Sequence, residues 1–137
     1  MANLNFSLSE LIYSDTAIKN NINNMPDISA CDNLLNLIWH LLQPVRDKFG
    51  AIKVTSGYRC DRVNKLVNGS STSNHKLGMA ADIIPQKATF KQVYDFIVQY
   101  LDYDECFIEK NSQGVKWLHV AYRKGNNRKK HNSNYIA

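Results

Sequence analysis

Ser73-Asn74-His75-Lys76-Leu77-Gly78-Met79-Ala80-Ala81-Asp82 is the stretch on which the reading of this chain turns, and Trp117-Leu118-His119-Val120 completes it downstream. A polar, irregular segment gives way to a strand that starts at Ala80 and is closed by Pro85. Side chains alternate across a strand, so Ala80, Asp82 and Ile84 share one face, and a lone carboxylate in an apolar strand needs a partner. His119 sits in a second alternating run, where it shares a face with Trp117 and Ala121. Two histidines and one aspartate make three ligands, the number a catalytic zinc site takes while leaving a fourth position open. Gly78 lets the chain turn between His75 and Asp82, and Ala80 and Ala81 leave room beside a metal. On spacing alone a hydrogen-bonded pair in a polar loop is the competing reading, because the motif lacks the regularity of paired CxxC or HExxH elements.

Working outward, strands over residues 105–110 and 115–122 flank Asn111-Ser112-Gln113-Gly114, a hairpin turn. An odd number of loop residues puts Glu109 on the side of His119, and an even number puts it opposite. Thr89-Phe90-Lys91-Gln92 is a capping box opening a helix with Phe90, Val93, Ile97, Tyr100 and Leu101 on its buried side. Upstream lie a strand over residues 51–55, a turn at Ser56-Gly57-Tyr58-Arg59, and a short helix over 60–67 with Val63, Leu66 and Val67 inward. The strongest periodic signal covers residues 28–49, where Ile28, Cys31, Leu34, Leu35, Ile38, Leu41, Leu42, Val45 and Phe49 predict one buried helical face. Pro44 should kink or interrupt that helix and Gly50 end it. A capping box at Ser7-Leu8-Ser9-Glu10 starts a first helix expected to end near Asp15, with a loop over 19–26. These elements predict an α+β domain over residues 1–123, its helices packed on a small, mainly antiparallel sheet that carries the candidate metal residues His75, Asp82 and His119. A basic polar tail follows over 124–137.

The length of 137 residues fits one domain with its own core, and the composition excludes disordered and collagen-like classes. The longest apolar run, near residues 34–42, is broken by Asn36 and His40 and falls short of the roughly 20 residues a membrane span needs. The N-terminus has neither the basic stretch nor the apolar run of a signal peptide, so synthesis in a cytoplasm is expected. Seventeen basic against 12 acidic residues give a net charge of +5, which favours anionic partners such as a cell-wall polymer or a nucleic acid. Cys31, Cys60 and Cys106, an odd number without metal-like spacing, read as reduced core thiols, and His40 as a core histidine. Arg123, Lys124, Arg128, Lys129 and Lys130 lack interleaved aromatic residues and read as a solvated end. Asp104, Glu105 and Glu109 are the candidate general bases. The planar fork of Arg59 can bind a substrate carboxylate or an oxyanion, a surface salt bridge being the alternative.

At Ser73-x-His75-x-x-Gly78-x-Ala80-x-Asp82 the sequence resembles the zinc peptidases of the M15 family, the group of D-alanyl-D-alanine carboxypeptidases and phage endolysins. Phe6-Ser7-Leu8-Ser9-Glu10-Leu11, Leu42-Gln43-Pro44-Val45-Arg46, Phe49-Gly50, Ser56-Gly57-Tyr58-Arg59 and Trp117-Leu118-His119-Val120 extend the likeness to a short, single-domain branch, over residues 5–123. The resemblance implies His75, Asp82 and His119 as zinc ligands, Arg59 as the residue holding substrate or polarised carbonyl, and Ser73 as a shaper of the ligand loop. Some relatives carry an acid three positions before the last ligand; here that position is Lys116. The branch instead places the acid on the preceding strand, at the position of Glu109, which is implied as the base. The implied activity is hydrolysis of a peptide bond in peptidoglycan stem peptides, as a carboxypeptidase or an L-alanyl-D-glutamate endopeptidase. Absence of a secretion signal fits a phage or prophage endolysin released to the wall by a separate protein, acting as a monomer and drawn to anionic wall polymers by its positive charge. The alternatives are a non-catalytic, zinc-containing wall-binding module of the same fold and, less in keeping with the metal residues, a nucleic-acid-binding domain.

Overall fold

Several helices in this chain begin where a side-chain oxygen takes up an amide that no helical carbonyl can reach. The computed structural model describes residues 4–132. Ser7 accepts from the Glu10 amide and starts α1, Leu8–Ile12. Ser14 then accepts from the Ala17 amide and opens α2, Asp15–Lys19. This second cap explains why the chain is helical where a first helix was expected to have ended. Asp27 caps α3, Ile28–Leu37. Beyond it a π turn over Ile38–Leu42 leads directly into α4, Gln43–Phe49.

Pro44 therefore widens the helix without interrupting it. Its ring would meet the carbonyl four residues back, and the Gln43 amide bonds to Ile38 O, five residues back, which opens the turn. Leu34, Ile38, Leu41, Leu42 and Val45 are buried as expected, with Leu37 added. Ile28 and Leu35 face outward, at 89% and 46% exposure. Adjacent helical positions differ by about 100°, so the pair Leu34 and Leu35 satisfies the period almost equally well until a neighbour selects one. His40 is likewise on the surface, stacked flat on Tyr122 with ring centroids 4.4 Å apart.

The sheet comprises β1 (Ile52–Ser56), β2 (Ala80–Pro85), β3 (Glu105–Lys110), β4 (Lys116–Ala121) and β5 (Lys130–His131), in the order β1-β2-β4-β3-β5. All pairings are antiparallel except β3 with β5. The result is an α+β domain with a mixed, mainly antiparallel sheet. One sheet face presents Ala81, Ile83, Cys106, Leu118 and Val120 to a buried cluster that includes Leu34, Leu41, Val45, Val93 and Ile97. Between β1 and β2 runs α5, Asp61–Leu66, of which Val63 is buried while Leu66 and Val67 are exposed. Asn64 is buried in their place, because it hydrogen-bonds Ser70 O and Arg59. Between β2 and β3 runs α6, Phe90–Tyr100, with the complete capping box of Thr89 and Gln92. Val93, Tyr94 and Ile97 are its buried residues, and Tyr100 points to solvent.

Lys110 pairs with Lys116, so the β3–β4 loop has the odd length that keeps Glu109 on the face of His119. Register then brings Ser56, Asp82, His119 and Phe107 into one row across four strands. After β4 the chain turns back along the edge of β3, where Lys129 N bonds Tyr103 O and Lys130 N bonds Asp104 O. Of the basic tail expected over 124–137, the last five residues lie outside the described residues. Cys106 is buried, Cys31 and Cys60 are only half-buried, and all three are free thiols. Among the described residues no helix is long and apolar enough to cross a membrane.

Candidate active site

Asp82 lies on β2 directly opposite His119 on β4, and His75 reaches the same spot from a short 3-10 turn over Asn74–Leu77. That turn is built locally. Ser73 Oγ accepts from the His75 amide, and Gly78 ends the turn with φ of +75°. A Cβ on Gly78 would also come to 2.4 Å from Ala30 O at the start of α3, so the position admits glycine on two counts.

The ring nitrogens have defined tasks. His75 Nδ1 is 2.7 Å from Gly57 O, and a carbonyl only accepts, so Nδ1 carries the proton and Nε2 a lone pair. That lone pair faces Asp82 Oδ1 at 3.3 Å. His119 Nε2 is 2.8 Å from Glu105 Oε1, an acceptor when ionised, which leaves Nδ1 facing the same Asp82 oxygen at 3.1 Å. His75 Nε2, His119 Nδ1 and an Asp82 oxygen thus converge within 4.8 Å of one another. Three electron pairs without a donor among them repel unless a cation or a proton lies between. The donor set of two imidazoles and a carboxylate, each imidazole oriented by a hydrogen bond on its other nitrogen, fits Zn2+. With a proton in that role, burial of His119 favours its neutral form, but the hydrogen bonds to Asp82 and Glu105 outweigh burial and raise its pKa to about 9. Burial would raise the Asp82 pKa, yet the bonds from His119 and His75 hold it far below the usual carboxylate range.

The triad opens into a cleft of about 290 Å³ whose wall includes Arg59, Phe107, Glu109 and Trp117. Arg59 is tied down on three sides, by Ser56 Oγ at 3.2 Å, Asn64 Oδ1 at 3.3 Å and Asp82 Oδ2 at 3.5 Å. Glu109 Oε1 accepts from Trp117 Nε1 at 2.8 Å, and no hydrogen bond engages its other oxygen among the described residues. Asp104, by contrast, is fully buried behind the cleft. Burial alone would raise its pKa, but hydrogen bonds from Arg128 and Asn74 bring it down to about 2.

Of the three acids open as bases, Glu109 and Glu105 both line the cleft, Glu109 bonded to Trp117 and Glu105 to His119, whereas Asp104 lies in an internal ion pair. Asn74 carried no signal in the sequence beyond a polar residue next to His75. Its amide bridges Asp104 Oδ2 and Glu105 Oε1, at 2.9 and 2.8 Å. The partnership of Glu105 with His119 was accessible in principle, since residues 105, 107 and 109 share the His119 face once the hairpin register is known.

Gly57 couples the site to the fold, because its carbonyl holds His75 while the neighbouring Tyr58 amide bonds Leu11 O at 2.7 Å. A Cβ there would lie 2.1 Å from Leu11 O, a clash with backbone that no side-chain rotation relieves. Gly57→Ala is expected to lower stability by about 2–3 kcal/mol. Urea denaturation would register this as a lower midpoint at unchanged slope, and an unchanged midpoint would refute the packing argument.

The sequence that builds this site matches a known family. A family model described as Peptidase M15 matches residues 4–121, from before the first helix to the end of β4. No curated protein matches the chain. With the match spanning every element that builds the cleft, and a buried His-Asp-His cluster of the kind a zinc-dependent peptidase requires, the chain belongs to the peptidase M15 family.

Proposed function

We propose that the protein is a zinc-dependent peptidase that hydrolyses a peptide bond in the stem peptides of bacterial peptidoglycan, in the manner of a phage or prophage endolysin. The observation that carries the reading is the convergence of His75, Asp82 and His119 at the floor of a cleft whose wall holds Arg59 and Glu109. Zinc bound by those three side chains supplies Lewis acidity, polarising a carbonyl and lowering the pKa of water to about 7.

The chain's own residues do the rest. Glu109, held through one oxygen by Trp117, uses the other to take a proton from the attacking water and then delivers it to the leaving amine. The guanidinium of Arg59, pinned by Ser56 and Asn64, binds a substrate carboxylate or the oxygen that gains charge as the carbonyl is attacked. Phe107, opposite His119, gives the cleft floor an apolar edge. The net charge of +5 draws the protein to anionic wall polymers.

The test is digestion of purified peptidoglycan by the zinc-loaded protein, with mass spectrometry of the released fragments. Stem-peptide fragments that disappear when a chelator is added, and return with zinc, are the expected result. Intact peptidoglycan at full zinc occupancy would overturn peptidoglycan as the substrate. The masses identify the bond, since loss of a terminal D-alanine and cleavage after L-alanine release different products.

A further inference from the structure

The chain beyond the family match does not simply leave the domain. Residues after Tyr122 return to the back of the cleft and insert two arginines into a polar network that ends on a residue of the zinc triad. Arg128 grips Asp104 with a two-pronged contact, Nε to Oδ1 at 2.9 Å and Nη2 to Oδ2 at 2.6 Å, and its backbone amide adds a third bond at 2.9 Å. Arg123 Nη2 donates to Asn74 Oδ1 at 2.8 Å, and its Nε lies 3.3 Å from Asp104 Oδ2 as an ion pair without hydrogen-bond alignment. With a cation on its oxygen side, the Asn74 amide can point its nitrogen only toward the acids Asp104 and Glu105. Glu105 in turn accepts from His119 Nε2.

We propose that this C-terminal strap is a positioning element for the metal site. Arg128 and Arg123 fix Asp104 and Asn74, these fix the Glu105 carboxylate, and Glu105 holds the His119 ring with Nδ1 turned toward Asp82 and His75. The proposal rests on the zinc reading of the triad, but it concerns metal affinity and ring geometry and does not require any particular substrate.

An imidazole without a partner on its outer nitrogen can rotate and exchange tautomers, and only one arrangement presents Nδ1 to the metal. Partners of this kind typically change metal affinity by about 10–100-fold. The Asp104 carboxylate is fully buried, whereas the Arg128 side chain is 37% exposed. Removing the arginine therefore creates no cavity in the core, but it leaves Asp104 to compete with Glu105 for the Asn74 amide.

Charge alone makes the opposite prediction. Deleting a cation near a divalent-metal site should strengthen metal binding, so the sign of the effect separates positioning from bulk electrostatics.

The experiment is competition of zinc between the protein and a chromogenic chelator, for wild type, Arg128→Ala, Arg128→Lys and Arg62→Ala, an exposed arginine on α5. Arg128→Ala is expected to bind zinc about 10-fold or more weakly, Arg128→Lys to fall between it and wild type, and Arg62→Ala to match wild type. In 15N-labelled, zinc-loaded protein, long-range imidazole spectra should show His119 bound through Nδ1 with a protected Nε2 proton, and that protection should be lost in Arg128→Ala. Should Arg128→Ala fail to fold, Arg128→Lys carries the same two readouts. Equal or tighter zinc binding by the folded Arg128 variants, with His119 unchanged, would overturn the proposal. A wild type that binds no zinc would overturn the metal reading beneath it, whereas zinc binding with no peptidoglycan cleavage would overturn only the substrate.

Discussion

His119→Ala is expected to abolish hydrolysis, lowering the rate about 10³-fold or more, and to do so by losing the metal. The substitution removes one of the three proposed ligands and, with it, the group that separates the carboxylates of Asp82 and Glu105. Lewis-acid stabilisation of the transition state is worth several kcal/mol, and each 1.36 kcal/mol is about a factor of ten in rate. A second readout does not depend on turnover. A ligand that binds only the folded state stabilises it, by about 2.7 kcal/mol at a free concentration one hundred times its dissociation constant. Zinc should therefore raise the melting temperature of the wild type and leave that of His119→Ala unchanged. A variant that still gains thermal stability from zinc, or still cleaves peptidoglycan, would remove His119 from the ligand set.

Glu109→Gln is expected to lower kcat by about 10²–10⁴-fold with zinc affinity unchanged, the range typical for loss of a general base. Glutamine keeps the shape, and its carbonyl oxygen can still accept from Trp117 Nε1, so the cleft wall is preserved. What is lost is the capacity to take a proton. Glu105→Gln supplies the contrast, because an amide oxygen can still accept from His119 Nε2 and its expected loss in kcat is smaller than that of Glu109→Gln. A reversal, with Glu109→Gln near wild type and Glu105→Gln inactive, would transfer the base to Glu105. Measuring kcat and zinc affinity for both variants decides between the two carboxylates.

Both results turn on contacts between strands, and that is where reading the chain residue by residue loses resolution. Capping at Ser7, Asp27 and Thr89 is local, involving an oxygen and an amide three residues away, and it is visible as a pattern of residue types. The strand at β2 is equally local, since alternation alone separates Ala80 and Asp82 from Ala81 and Ile83. Periodicity does not discriminate where two neighbouring apolar residues both satisfy it, as Leu34 and Leu35 do, or where a polar residue is buried by partners outside its helix, as Asn64 is by Arg59 and Ser70 O. The second helix, Asp15–Lys19, is a different case, since Ser14 is a local cap of the same kind.

His75, Asp82, His119, Arg59 and Glu109 were all identifiable as chemical candidates from sequence, because residue type, a turn-forming glycine and alternation are short-range properties. So were the α+β class and the hairpin, though not the parity of its loop. Tertiary structure alone decided what each carboxylate touches. A five-residue loop puts Glu105, Phe107 and Glu109 on the face of His119, and side-chain contacts set Glu105 against the ring and Glu109 against Trp117. It also drew Arg123 and Arg128, which read as a solvated basic end, onto a buried aspartate. The physical reason is the same in each case: hydrogen bonds and ion pairs act over about 3 Å, and residues 8 to 49 positions apart reach that distance only after the sheet has formed.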